Sequence, residues 1–338
     1  MGVRVSRAVA VAAAIGLAMG AWPAAGAPAE KAAAAPAQKH AGAATGKVAA
    51  ALTEKAAGAP AQKRAGALTE KAAGAPARGA DGAPAITVVR VRHVGPVADP
   101  AAPVWTLAKP TRVAMAPQVI VPPMKLDAAI KELSVRAVHN GAWIAFLIEW
   151  KDPSQSDRIV VDNFGDQVAV ELPIKKEPLP SPMMGNPGGR VNIMQWRAAL
   201  QRDLDYGPST VRDRYPNAWV DVYPDEVLNA ADARPYTGAL GLDNPVSQAD
   251  LSPVLDQMAE GWGTLTVKPD QHALGKGIWW EGAWHVVIAR PMASDDADAP
   301  QLAPGDRTVA AFAAWEGGSR EVGARKSWSS WVPVVLQK

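Results

Sequence analysis

The sequence predicts a mainly β domain, an antiparallel β-sandwich with a few short helices and long loops. Three observations carry that prediction. Many short segments of strand composition are separated by Gly and Pro turns. Two pairs of such segments turn at Asn140-Gly141 and Glu281-Gly282, and Asn-Gly favours a tight type I′ hairpin. One arm of the first pair, Ala142–Trp150 (AWIAFLIEW), is apolar on both faces, which belongs inside a sandwich.

In chain order, Arg4 and Arg7 precede an apolar run from Ala8 to Ala21, and small residues follow at Ala24 to Ala27. This pattern predicts a signal peptide over 1–27, on the general secretory route because no twin arginine is present. The run is short for a membrane span, so only an uncleaved segment would tether the chain to a membrane. Residues 28–84 are nearly all Ala, Gly, Pro, Lys, Glu and Gln, and ALTEKAAGAPA occurs twice, at Ala51–Ala61 and Ala67–Ala77. Each copy has one Leu and no face to bury, so the stretch reads as a flexible linker.

Residues 85–338 are the expected folded domain. Ile86–Val94 is a first strand and Asp99–Trp105 a proline-rich lead-in. Ser134–His139 and Ala142–Trp150 form the first hairpin, and Gln167–Leu172 is a further strand. Good helix formers at Met194–Asp203 predict a short helix. Leu204–Val246 is irregular and long, which marks a functional or interface loop. Gly277–Arg290 is a second hairpin, Thr308–Trp315 a strand, and Ser327–Leu336 closes the domain.

Composition excludes several classes of function. A formal net charge of +2 over 338 residues gives no electrostatic case for nucleic acid. Cysteine is absent, which removes disulfides, thiolate iron–sulfur clusters, cysteine nucleophiles and covalent c-type haem. There is no H-E-x-x-H, G-x-S-x-G, P-loop or dinucleotide fingerprint, so no catalytic motif stands out. The acidic pair Asp295-Asp296 sits in a polar loop and reads as solvated.

The stretch with chemistry is Ser181–Arg197, SPMMGNPGGRVNIMQWR. It carries Met183 and Met184 on a loop of prolines and glycines, which hold the backbone in shapes other residues resist. A core methionine needs no such loop. A thioether that must point at a fixed object does, and a haem iron is the best candidate for that object. The histidines are weaker: His139 reads as a turn-proximal polar residue and His285 as a half-buried strand residue, with His93 and His272 behind them. The 13 tryptophans against 3 phenylalanines include Trp143, Trp150, Trp262, Trp315, Trp328 and Trp331. They suit core packing or a flat apolar pocket.

A series of motifs adds to this reading: DPAAPVW, VRAVHNGAWIAFLIEWKDP, GDQVAVELP, PMMGNPGGRVNIMQWRA, EGWGTLT, GKGIWWEGAWHVVIARP and AAFAAWEGGSREVGARKSWSSW. In this order they resemble the haem b-binding gamma subunit of the ethylbenzene and dimethylsulfide dehydrogenase, chlorate and selenate reductase class. That class of molybdenum enzymes lies within the dimethyl sulfoxide reductase family. The resemblance spans Ile86 to Leu336. It implies a sandwich holding one non-covalent haem b between an axial Met and an axial Lys. The Met falls on Met184, directly before Gly185, with Met183 as second choice, and the Lys falls on Lys326 in Gly323–Ser327. By the same resemblance Asn192, Gln195 and Arg197 serve the haem propionates or pack beneath the ligand; Trp196 is one of the tryptophans that suit core packing or a flat apolar pocket.

The resemblance also implies a periplasmic partner set: a molybdopterin catalytic subunit, an iron–sulfur subunit, and a soluble c-type cytochrome as further redox partner. The chain itself would relay electrons and catalyse nothing. An amine ligates metal only when neutral, so Lys326 must be buried enough to lose its proton; Lys268 and Lys276 are its competitors. Two other readings compete: a carbohydrate-binding sandwich using Trp279, Trp280 and Trp284, and a tethered assembly module binding through Leu204–Val246.

Overall fold

The computed structural model describes residues 85–207, 209–217 and 252–338. The expected signal segment 1–27, the linker 28–84 and most of Leu204–Val246 lie outside these residues. The strands are β1 (Ile86–Arg90), β2 (Thr111–Ala114), β3 (Ala116–Pro117), β4 (Glu132–His139), β5 (Trp143–Lys151), β6 (Gln167–Pro173) and β7 (Val191–Arg197). They continue with β8 (Val254–Ala259), β9 (Thr266–Val267), β10 (Leu274–Trp280), β11 (Ala283–Pro291), β12 (Arg307–Trp315), β13 (Ser327–Trp328) and β14 (Val332–Leu336). Two short helices are described, α1 (Ala198–Tyr206) and α2 (Val211–Arg214). None of the described helices is long and apolar enough to cross a membrane.

The mainly β class with few short helices and long loops is as expected, but the two-sheet sandwich is not. The strands form one hydrogen-bonded sheet in the order β10-β11-β5-β4-β1-β14-β12-β6-β7-β8-β9. It curls into a half-barrel, and β12 is the reason it does not split. Arg307–Ala310 of β12 pair with β14, while Ala311–Trp315 pair with β6, so one strand joins both halves. The sheet is also not wholly antiparallel, because β1 runs parallel to both β14 and β4.

The two ends of the sheet face each other across the core. Phe146, Ile148, Val286 and Ile288 come from one half, Val170, Leu172, Met194 and Trp196 from the other, and all are buried in one cluster. Trp196 packs edge-on against Trp284, with ring centroids 4.8 Å apart. Gly277 lets this happen: a Cβ there would stand 2.1 Å from the Trp196 ring.

Local details differ from expectation in two places. Met194–Arg197 is strand, and helix begins only at Ala198. Met194 and Trp196 pair with β6 on one side and β8 on the other, and that pairing overrides their helix propensity. At the first hairpin only Gly141 has positive φ, so the turn is not type I′. Instead the Asn140 side chain accepts the N–H groups of Ala142 and Trp143. The second hairpin does turn at Glu281-Gly282, both at positive φ as a type I′ turn requires.

Candidate functional site

Side chains alternate across a strand, so each strand of the curl serves two faces. In β6, Val168, Val170 and Leu172 point into the core, while Gln167, Ala169 and Glu171 point outward. In β7, Met194 and Trp196 face the core, while Ile193, Gln195 and Arg197 face outward. The outward face of β12, β6, β7 and β8 is the floor of a cavity of about 530 Å³. Loops close over it: Pro182–Met184, Trp262–Leu265, Val322–Lys326 with Trp328, and Gln118 with Val121. The volume and the mainly apolar lining suit a bound organic group.

Met184 is held through its backbone. Its N–H donates to Glu171 Oε2 at 3.3 Å, and its carbonyl accepts from Gly261 N at 2.7 Å. Its φ is 66°, a left-handed conformation that a residue with a Cβ adopts only when its surroundings demand it. Gly185 follows at φ 74°, where a Cβ would lie 2.5 Å from the Gly189 carbonyl oxygen. Glycine at 185 is therefore required by the loop geometry. Met183 lines the same cavity, with its N–H on the Ser181 hydroxyl at 3.3 Å.

Lys326 is placed from two sides. Its neighbours Ser327 and Trp328 form β13, paired with β12 and β3. Its carbonyl accepts the Gln118 N–H at 3.0 Å, and the buried Gln118 amide also donates to the Ala324 carbonyl at 3.0 Å. The Lys326 Nζ lies 5.1 Å from the centre of the Trp315 ring. Among the described residues it forms no ion pair. Burial pushes its pKa below the ordinary lysine value, and the nearby Glu171 opposes that shift. Burial pushes Glu171 up to about 8, against the pull of Lys326 and of the Met184 N–H. Both shifts favour the uncharged forms, as expected where water is excluded.

Three lining side chains carry buried polar atoms with no partner: Glu171 Oε1, Arg197 Nε and Gln257 Oε1. Buried polar groups are nearly always satisfied, so three orphans around one hollow mark a place shaped for a polar-edged ligand. Arg197 donates from Nη2 to Gln195 at 3.0 Å, and burial lowers its pKa. Gln195 in turn bonds Gln167 at 2.7 Å and Gln257 at 3.2 Å, forming a polar row across three strands.

The structure thus brings Met183, Met184, Arg197 and Lys326 to one cavity. It does not bring Asn192 or Trp196 there. Both lie on the core face of β7. Asn192 donates to Asp256 at 2.6 Å, and Trp196 donates to Gln201 at 3.3 Å. The rival lysines are elsewhere too: Lys268 is buried against Asp256 and Asp296, and Lys276 is exposed on β10. His139 bonds the Gln337 carbonyl at 2.9 Å and His285 bonds Glu149 at 3.0 Å, neither lining the cavity. Of the aromatic strip Trp279, Trp280 and Trp284, only Trp280 is exposed, at 61%. Sequence reasoning missed Glu171 and Gln118. For Glu171 a signal existed, a lone carboxylate on the Ala169 face of QVAVEL; for Gln118 there was none.

A second cluster lies at the edge of the cavity. Asp152, Asp166 and Glu316 bring carboxylate oxygens within 4.8 Å of one another. Asp166 accepts from Ser156 N, Gly317 N and Trp284 Nε1, all at 2.8–2.9 Å, and burial raises its pKa to about 7. It ties three chain segments together.

A model of the ethylbenzene dehydrogenase family matches residues 102–218. The chain is 25% identical over 242 residues to the chlorate reductase subunit gamma of Ideonella dechloratans, covering 69% of this chain and 78% of that protein. These similarities fall on the kind of gamma and heme subunit that the sequence motifs resemble. A second relative, a protein of Haloferax mediterranei assigned as a respiratory nitrate reductase heme subunit, is 25% identical over 235 residues. That match covers 69% of this chain and 66% of the relative. Among solved structures, a family 9 carbohydrate-binding module of Caldicellulosiruptor kristjanssonii with glucose aligns at TM-score 0.35 and 10% identity. It covers 75% of this chain and 95% of the module. The same module with cellotriose aligns at 0.33. Likeness at that level bears on neither fold nor ligand.

Proposed function

We propose that this chain carries one non-covalent haem b in the cavity, which Met184 and Lys326 would hold through the iron. The observation that carries the reading is the shared cavity: a pinned thioether and a buried amine line one hollow that also holds three unpartnered polar atoms. A haem b bound there supplies one-electron transfer at its iron. The protein's part is positional. The backbone bonds of Met184 fix where its thioether starts, and Gln118 with β13 does the same for Lys326. Burial lowers the Lys326 pKa and so favours the neutral amine that ligation requires. Arg197, at the polar end of the floor, suits a carboxylate such as a propionate.

On this reading the chain is a periplasmic electron-transfer subunit. It relays electrons between an iron–sulfur subunit with its molybdopterin catalytic partner and a soluble carrier such as a c-type cytochrome. Reconstitution of the purified protein with haemin tests it. Met184→Ala and Lys326→Ala should each lose the low-spin spectrum and weaken haem retention by at least about tenfold, the scale of substitutions around a metal site. Met183→Ala should keep both. Retention of a low-spin spectrum in Met184→Ala or Lys326→Ala would contradict the assignment of that ligand.

A further inference from the structure

Among the described residues, Glu171 is the cavity carboxylate that bonds Met184 and lies near Lys326. It lies on β6, 8% exposed, at the floor of the cavity. Its Oε2 accepts the N–H of Met184, while its Oε1 is fully buried without a partner. Its alternation mate Ala169 is small, so the carboxylate stands clear on that face. A core position on β6 would be filled by an apolar residue, as Val168, Val170 and Leu172 fill theirs. Burying a carboxylate here is costly, and the groups near it are Met184 and Lys326.

The Met184 backbone explains why the carboxylate is there. A residue at φ 66° relaxes toward ordinary geometry unless it is anchored. The loop supplies one anchor from the carbonyl side, through Gly261. The anchor on the amide side is a side chain from a different strand of the sheet. From these contacts we infer that Glu171 is a positioning residue: by accepting the Met184 N–H it holds the thioether on a fixed path into the cavity. The inference rests on the haem reading above and deepens it. Glu171 itself touches no iron in this scheme.

The test compares Glu171→Gln with Glu171→Ala in the full chain. The Gln amide oxygen can still accept the Met184 N–H; Ala leaves it unpaired. Three readouts apply to the haem-loaded folded protein: the near-infrared methionine-to-iron charge-transfer band, haem retention, and the affinity of added imidazole, which takes the methionine's place when that arm is loose. Glu171→Ala should lose the band, retain haem about tenfold less well and take imidazole at least about tenfold more readily. Glu171→Gln should keep the band and stay near wild type. Thermal unfolding of the haem-free variants separates a general loss of stability from a loosened arm, since a merely structural residue would lower the melting temperature and leave the band intact.

Glu171→Ala with an unchanged band and unchanged imidazole affinity overturns the assignment. So does a Glu171→Gln variant as defective as Glu171→Ala, because the hydrogen bond would then not be the reason. A wild-type protein that takes up no haem overturns the ligand reading first and this assignment with it, which is a different result from a wild type that loads normally beside an unaffected Glu171→Ala.

Discussion

The curled sheet has two outer faces, and they are covered differently. Over β4, β5 and β11 the cover is the more solid, although a pocket of about 450 Å³ indents it beside Trp105, Arg136, Leu147 and Glu149. Val138, Ala145, Leu147, Val287 and Ala289 meet Val91, Val97, Trp105 and Ala108, and the nine form one buried apolar cluster. Over β12, β6, β7 and β8 the cover is hollow, and Glu171, Arg197 and Gln257 point orphaned polar atoms at or near the gap. Both faces belong to one sheet with one alternation, so the difference lies in what the loops were made to do. A cover that only stabilises closes on apolar side chains to near-crystalline density. A cover that leaves a void and unmet hydrogen bonds forgoes stability, which is expected where a ligand completes the packing.

The comparison can be broken by substitutions placed on each face. The largest effect belongs to the solid one. Trp105 is 4% exposed and bonds the Asp99 carbonyl at 2.9 Å. Trp105→Ala should cost about 3–5 kcal/mol of folding stability in a denaturant titration, while the fraction of folded molecules that take haem stays unchanged. A loss of haem uptake by the folded fraction would show that the two faces are not independent.

One substitution made on both faces sharpens the contrast. Ala145 and Ala169 are similarly buried, on β5 and β6, facing the solid and the hollow cover. Ala145→Leu overpacks and should destabilise by about 1–3 kcal/mol. Ala169→Leu fills space and should leave the haem-free protein unchanged or stabilise it by up to about 1 kcal/mol, while haem uptake falls. Equal destabilisation at both sites, read by thermal unfolding, would remove the distinction.

The smallest expected effect is a pH dependence confined to the hollow face. Lys326 has its pKa lowered by burial, so its amine is neutral above that lowered value and protonated below it. A proton then competes with iron for the lone pair. Haem retention should therefore weaken as pH falls through the lowered pKa, by no more than about tenfold per pH unit. In Lys326→Met, whose thioether carries no proton, this slope should vanish. A slope that persists in that variant assigns the pH dependence to another group.

Much of this architecture was legible from the residues alone, and the failures have a common cause. The hairpin strands β4, β5, β10 and β11 announced themselves through strand composition beside Asn140-Gly141 and Glu281-Gly282. The strip AWIAFLIEW, apolar on both faces, is buried on both as read: Phe146 and Ile148 inward, Ala145 and Leu147 outward. Asn192 came from the resemblance and Trp196 from the tryptophan count, and neither source says which face of the element near Met194 a residue takes. On a helix, residues four apart share a face. On a strand, 192 and 196 share one face and 193, 195 and 197 the other. Periodicity over seven residues does not decide between these, and the deciding partner, β8, is short and comes from a part of the chain where no strand was expected. Gln118 was invisible for a related reason. Its role is a set of backbone contacts made across the fold, and no local pattern encodes them. The single curled sheet was equally hidden, because it depends on one strand, β12, dividing its partners between two neighbours.

The central claim is that the hollow face is completed by haem, and one spectrum tests it most directly. The mature protein, expressed with export and ample haem supply, should be coloured as purified. Its absorption should show a Soret band when oxidised and sharp low-spin α and β bands when reduced, and acid–acetone should extract the pigment because no cysteine holds it covalently. A colourless, folded protein that stays colourless after incubation with haemin would contradict the account.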